Sequence, residues 1–247
     1  MGVDISFMFI ALKEAIKYIP ITLILAIIPF IIGIVVGTLI AVIRIYKVKV
    51  LSRLMQILVV IIRGIPLVVI LYIVFFEITL GFDAIADKFN WIIHSKDINV
   101  IYIAMIAITI SAIANISETI RGGIISVGKT QFEAAYSVGL TRNQTLRRII
   151  IPQAFPVILP SLCNNFIGLI KGSSIAYLIT VVDIMNGALI TATANYRFLE
   201  AYIAAAIVYW ILCVLIEKIS FIFEKRLSIH VKKENCLFNV VNTEYHS

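Results

Sequence analysis

Two positive charges in this sequence lie where charge is costly. Arg63 and Lys171 each interrupt a long apolar stretch, and an unpaired cation at the centre of a membrane helix costs about 2.5–3.5 kcal/mol on insertion scales. Each has neighbours that could put it to use. Arg63-Gly64-Ile65-Pro66 breaks its helix, and Lys171-Gly172-Ser173-Ser174 combines a cation, two hydroxyls and a glycine that leaves space beside them. Such donors suit a carboxylate on a small molecule passing along a water-filled path, the setting in which broken membrane helices are tolerated. The structural alternative is that Arg63 or Lys171 pairs with Glu118 or Glu77, or snorkels to an interface. Glu118 itself, with Asn115 and Ser117 close by, fits a substrate contact and a packing or capping role equally well.

Bond-making chemistry finds no support. Gly123 to Thr130 reads G-x4-G-K-T, the letters of a phosphate-binding loop. That mechanism requires a strand before the loop and a nucleotide-binding sheet around it. Here an apolar span precedes the motif and the connection is too short for a sheet, so the match is read as coincidence. His94, His230 and His246 show no ligand spacing, and Cys163, Cys213 and Cys236 lie far apart. No metal, cofactor, disulfide framework or catalytic constellation is expected.

The elements that carry these residues follow from composition. Of 247 residues, 61% are hydrophobic and 14% charged, against roughly 25% charged in a soluble domain, and mean hydropathy is +1.04. So much apolar surface must face lipid. A hydrocarbon core of about 30 Å takes about 20 helical residues, and five stretches qualify: 19–43, 54–76, 98–116, 155–182 and 202–223. Fourteen Lys and Arg fall in the first connection, the third connection and the C-terminal tail. Five fall on the opposite side. The positive-inside rule then places the N-terminus outside and the C-terminus inside. Net charge is +7, but the cations lie between apolar spans, so the expected partner is a membrane and not nucleic acid.

Ahead of the first span, Ile5, Phe9, Leu12 and Ile16 recur at helical spacing among Asp4, Lys13, Glu14 and Lys17. This predicts an amphipathic interfacial helix over residues 1–18, or an extension of the first span. The start has neither the basic region nor the cleavage site of a secretory leader. Gly33, Gly37 and Ala41 form a small-residue stripe for close helix contact.

The third connection, residues 118–151, is long for a loop between spans, and such loops are usually functional. It predicts two short helices separated at Gly139, where a left-handed residue can end the first. Thr141 is placed to cap the second. Glu133 stands near the first helix's start, and Ala134 and Ala135 permit close approach by a partner. The result is a compact charged knob suited to docking, though on these grounds alone an ordinary loop explains it as well.

Glu133-Ala134-Ala135, then Gly139, then Ile149, Ile151 and Pro152, resemble the EAA signature of ABC importer permeases, with Ile151 in place of leucine. The sequences from Asn115 to Ala135, Arg63 to Val69 and Lys171 to Ile179 are similar to the same regions of polar amino-acid permeases. The stretch from Val181 to Cys213 looks most like permeases for L-cystine. The resemblance implies an all-α membrane protein: five transmembrane helices plus the N-terminal interfacial helix, in the type I ABC importer permease fold. It divides the chain into an N-terminal segment (1–18), a permease domain (19–227) containing the coupling loop, and a cytoplasmic tail (228–247). Glu133, Ala134, Ala135, Gly139 and Pro152 would couple to a separate ATPase, while Lys171, Ser173, Ser174, Arg63 and Glu118 would line the path. The implied partners are a second permease copy or a paralogue, two cytoplasmic ATPase subunits and an extracytoplasmic amino-acid-binding protein, in a bacterial cell membrane. An ion-driven secondary transporter is the rival; it would show an inverted repeat and paired midplane acids, and neither is visible.

Overall fold

A computed structural model describes the backbone of residues 4–89, 91–92 and 94–244 and, within these, the side chains as far as residue 222 together with Lys225. His230, Cys236, His246 and the tail cations Arg226, Lys232 and Lys233 lie outside the described side chains. The helices are α1 (Ile5–Lys17), α2 (Ile19–Ile45), α3 (Lys49–Gly64), α4 (Leu67–Phe76), α5 (Phe82–Phe89), α6 (Val100–Ser126), α7 (Lys129–Ser137), α8 (Arg142–Thr145), α9 (Ile151–Ser173), α10 (Ile184–Ala192) and α11 (Phe198–Glu244). Among the described residues, five helical segments are long and apolar enough to cross a membrane: Ile19–Ile45, Leu67–Phe89, Val100–Ser126, Arg142–Ile179 and Phe198–Ile222. The chain divides into two compact units, residues 1–121 with 165–213 and residues 122–164 with 214–247.

In the larger unit, α2 presents Gly33, Gly37 and Ala41, all buried, and the first two lie against α6. A Cβ on Gly33 would fall 2.7 Å from Ile116 Cδ1, and one on Gly37 would fall 3.0 Å from the Ser117 backbone nitrogen. Without side chains at these positions the two backbones approach closely, the packing that membrane helices use in place of a hydrophobic driving force. The stripe read from the sequence does this work.

The second span lies further along the chain than its hydropathy predicts. Ile65 is extended (φ −95°, ψ 129°) and α3 stops at Gly64, because a residue before proline is driven out of the helical region and Pro66 lacks an amide donor. Helix resumes at Leu67, continues through a π turn (Glu77–Gly81) into α5, and ends at Phe89. Residues 77–89, which follow the predicted second span, are therefore helical. Beyond it, Asp83 accepts from the Ser95 amide (2.6 Å) and hydroxyl (2.7 Å) and ties down the return segment.

Helix α1 buries Phe7, Ala11 and Ala15 against Ile184, Ala188 and Ala192 of α10 and Ala201, Ala204 and Ala205 of α11. Ile5, Phe9 and Ile16 of the sequence-read stripe are exposed, and Leu12 is only partly buried. The helix is thus apolar on two faces, the smaller residues on the packed one. Asp4 caps its first turn through the Phe7 amide (3.1 Å) and pairs with Arg197 (2.8 Å), whose guanidinium also reaches Glu200.

In the smaller unit, the last turn of α6 packs against α9. A Cβ on Gly123 would fall 2.1 Å from Ile158 Cγ1, while Gly122 has nothing within 4 Å. These neighbours give a paired test. Gly123→Val should destabilise the purified protein by about 1–3 kcal/mol through overpacking, lowering its melting temperature in detergent. Gly122→Val makes the same small change in helix propensity without the clash and should leave the melting temperature nearly unchanged. Equal shifts for the two would refute the packing assignment.

Candidate functional site

The connection between α6 and α9 folds as two capped helices within the smaller unit. Gly128 opens α7 with φ +85° and ψ 154°, a backbone region essentially reserved for glycine. Helix α7 ends where Gly139 adopts φ +78°. There the Gly139 amide donates to the Tyr136 carbonyl (3.0 Å) and the Leu140 amide to the Ala135 carbonyl (3.1 Å), the paired bonds of a Schellman C-cap. Thr141 and Gln144 then form a reciprocal capping box at the start of α8. Helix α7 packs against α8 and the π turn that follows it, Leu146–Ile150.

That packing separates two alanines which the sequence alone suggests could act together. Ala135 is buried, whereas Ala134 and Glu133 are exposed and face outward. Pro152, where the π turn Leu146–Ile150 runs on into α9, is also exposed, and it has no N–H to donate to that preceding turn. The unit thus presents a short rigid helix whose outer face carries Glu133 and Ala134. Gly123 to Ser126 lie inside α6, so the G-x4-G-K-T residues are helix and a turn and do not form a phosphate loop.

The residues expected to line a path all lie in the larger unit. Glu118 is half-buried and pairs with Arg44 (2.8 Å) and with Arg121, one turn further along α6. The Arg44 side chain is only 8% exposed. Sequence reasoning offered Arg63 and Lys171 as partners; the α2–α6 approach supplies Arg44 instead, 74 residues away. Ser173 is fully buried, its hydroxyl donating to the Ile170 carbonyl (2.8 Å), while Ser174 is partly exposed and donates to the Lys171 carbonyl (2.7 Å). Arg63 and Lys171 are both exposed.

The two helix breaks that carry these residues are neighbours. α4 packs against the 3-10 turn Ser174–Ile179, and a Cβ on Gly172 would lie 3.1 Å from Leu67 Cδ2. Behind the turn, Asp183 is fully buried. It caps α10 through the Asn186 amide (3.0 Å) and accepts from the Tyr209 hydroxyl (2.7 Å), while Thr22 accepts from the Ile184 amide (3.2 Å). The sequence reading missed this cluster and α10; the one local signal is Asp183 three residues before Asn186, an ordinary capping spacing.

A family model described as the binding-protein-dependent transport system inner membrane component matches residues 33–229. The chain belongs to this family. It is 33% identical over 234 residues, 92% of this chain and 98% of the relative, to the probable amino-acid ABC transporter permease protein PatM of Vibrio harveyi. It is 38% identical over 213 residues, 86% of each chain, to the L-cystine transport system permease protein TcyB of Bacillus subtilis (strain 168). Among solved structures, a chain of a crystal structure described as an amino acid ABC transporter with histidines superposes with a TM-score of 0.78 at 32% identity, covering 92% of this chain and all of that one. The inward-facing MetNI methionine ABC transporter (TM-score 0.65, 20% identity, 91% of this chain and 99% of that chain) shares the fold. The protein is therefore an all-α, multi-pass membrane protein with the type I importer fold. It is the permease subunit of an ABC amino-acid importer, and ATP hydrolysis belongs to a separate partner.

The geometry of the permease's α7–α8 turn sets a direct test. Gly139 has nothing within 4 Å of its Cβ position, so alanine there meets only the left-handed conformational cost, about 1–2 kcal/mol. Gly139→Ala should speed hydrogen exchange of α7 amides by about 5–30-fold. Thr141→Ala, losing a cap worth about 1 kcal/mol, should act on α8 instead. Unchanged exchange in both variants would refute the capped-turn geometry.

Proposed function

We propose that α7 is the coupling helix of this permease and docks in a groove of the cytoplasmic ATPase through Glu133, Ala134 and Ala135, with Gly139 fixing the turn and Pro152 the start of the following span. The observation that carries this reading is a rigid, doubly capped helix–turn–helix whose outer face holds an exposed carboxylate beside a small residue. The tight turn suits a lever, because movement at α7 is not lost in a flexible loop. The carboxylate gives a partner's cation a specific target, and Ala134 lets its backbone approach. Ala135, buried beneath, would hold α7 to α8.

In this reading the coupling turn faces the cytoplasm together with the C-terminus, the N-terminus lies outside, and charge distribution supports that orientation. Two permease chains, identical or paralogous, would enclose the path, each beside one ATPase, with an extracytoplasmic binding protein delivering the amino acid. Arg63, Lys171 and Ser174, exposed at two adjacent helix breaks, would contact the substrate in passing. Glu118 and Ser173 would support that region from within their ion pair and buried hydroxyl. L-cystine is the first substrate to test, since permeases named for it are 38% and 35% identical to this chain.

Co-purification of the membrane-embedded chain with its ATPase tests the coupling role. Wild type should retain the ATPase; Glu133→Arg, on an exposed position that leaves the fold intact, should lose it by more than tenfold. If the variant retains the ATPase and transports normally, α7 is not the docking helix. Uptake of labelled L-cystine by the reconstituted transporter, with glutamine as comparison, tests the substrate. Coupled uptake of glutamine and not of L-cystine would remove the cystine assignment and leave the coupling role standing.

A further inference from the structure

We propose that the corner between α2 and α3 binds an anionic phospholipid, its phosphate held by Lys47, Lys49 and Arg53 and one acyl chain lying along Val50, Leu54 and Ile57. Three observations converge on this corner. The first is charge. No Asp or Glu occurs between Glu14 and Glu77. Arg44 is matched to Glu118, but among the described residues Lys47, Lys49 and Arg53 enter no ion pair. Three cations without a carboxylate thus fall close in sequence, at positions 47, 49 and 53, just past the end of α2.

The second observation is shape. A groove of about 490 Å³ is lined by Lys49, Val50, Arg53, Leu54 and Ile57. Val50, Leu54 and Ile57 are 83%, 48% and 51% exposed, and their spacing places them on one helical face. With a rise of about 1.5 Å per residue, that face extends about 10 Å from Val50, beside Lys49, to Ile57, which lies about 6 Å beyond Arg53. A phosphate at one end and a hydrocarbon chain along the rest match this arrangement. A free anion would leave the apolar part uncovered, and an uncharged lipid would leave the cations unmatched.

The third observation is the backbone. Lys47 adopts φ +50° and closes α2 with its amide on the Arg44 carbonyl (3.3 Å), while the Val48 amide reaches the Ile43 carbonyl (3.3 Å). This is the same C-cap that Gly139 makes, at the position where glycine is least strained. A lysine there bears a conformational cost that glycine would avoid, and what it adds is a cation fixed at the corner. The site requires only that the corner lie at a membrane–water boundary. It depends neither on the coupling role of α7 nor on the transported amino acid.

The experiment uses the full chain in lipid nanodiscs, with Trp91 and Trp210 changed to Phe and a reporter beside the groove from Leu58→Trp. Its fluorescence is quenched by acyl-dibrominated phosphatidylglycerol or phosphatidylcholine, mixed into unlabelled phosphatidylcholine. Phosphatidylglycerol should occupy the reporter site at least fivefold more strongly at low salt, the gain expected from a single surface cation. The exposed triple variant Lys47→Gln, Lys49→Gln and Arg53→Gln should keep its melting temperature and bring the ratio to about one. Lys47→Gly, which preserves the turn and removes one charge, should lower the ratio. An absence of preference in wild type, or a preference that survives in the triple variant, overturns the proposal. So does efficient disulfide formation between copies carrying Val50→Cys in phosphatidylglycerol nanodiscs, which would make this face a contact between two chains.

Discussion

The close approach of α2 to α6 governs how the larger unit handles charge. Gly33 and Gly37 bring one backbone within reach of the other, and Arg44 continues that stripe one turn beyond Ala41. Only at this separation can its guanidinium reach Glu118 at 2.8 Å with its own side chain almost entirely enclosed. An enclosed guanidinium without a carboxylate would be prohibitively costly beside lipid. Packing and electrostatics are therefore one constraint here: the small residues make the ion pair possible, and the ion pair makes the enclosed arginine tolerable. Arg121, on the same face of α6, shares the carboxylate and leaves the group with one excess positive charge.

Around that fixed pair of helices, the unit is built from interruptions. Pro66 stops α3, and the left-handed Thr180 ends the 3-10 turn after α9. Both breaks expose backbone groups and polar side chains that an unbroken helix would hide. They lie next to each other because α4 packs against the turn. A membrane protein that carried such breaks against lipid would leave amides and carbonyls unsatisfied. Here Ser173 and Ser174 satisfy two nearby carbonyls, and Asp183, Tyr209 and Thr22 close the region from behind.

What could be read from the sequence was the local chemistry. Gly139 and Thr141 announce a turn and a cap whatever surrounds them, and both adopt those roles. Five apolar stretches announce five crossings, and the glycine stripe announces a close helix contact. Distant pairing was not legible. Glu118 had several cations available, and only the α2–α6 approach selects Arg44. Helix α10 has nine residues, too few for a clear period, and its burial depends on α1 and α11. The packed face of α1 was hidden for a related reason: Ala11 and Ala15 carry little hydropathy, so the larger Ile5, Phe9 and Ile16 on another face dominated the pattern. The second span shifted because a hydropathy window averages over Pro66, whereas the backbone cannot.

The docking of α1 has a consequence in time. Its amide at Asp4 finds its acceptor on Glu200, 196 residues later in the chain, and its alanine face is covered by helices from that same late segment. At about 5–20 residues per second of synthesis, roughly 10–40 s separate the emergence of the two. During that interval α1 has an apolar side with no protein to cover it. Its other apolar side, which stays exposed in the finished fold, gives it a means of waiting: the nascent helix can rest on the bilayer surface until α10 and α11 arrive. The two-faced character that obscures its packing in the sequence thus equips it for the order in which the ribosome delivers its partners.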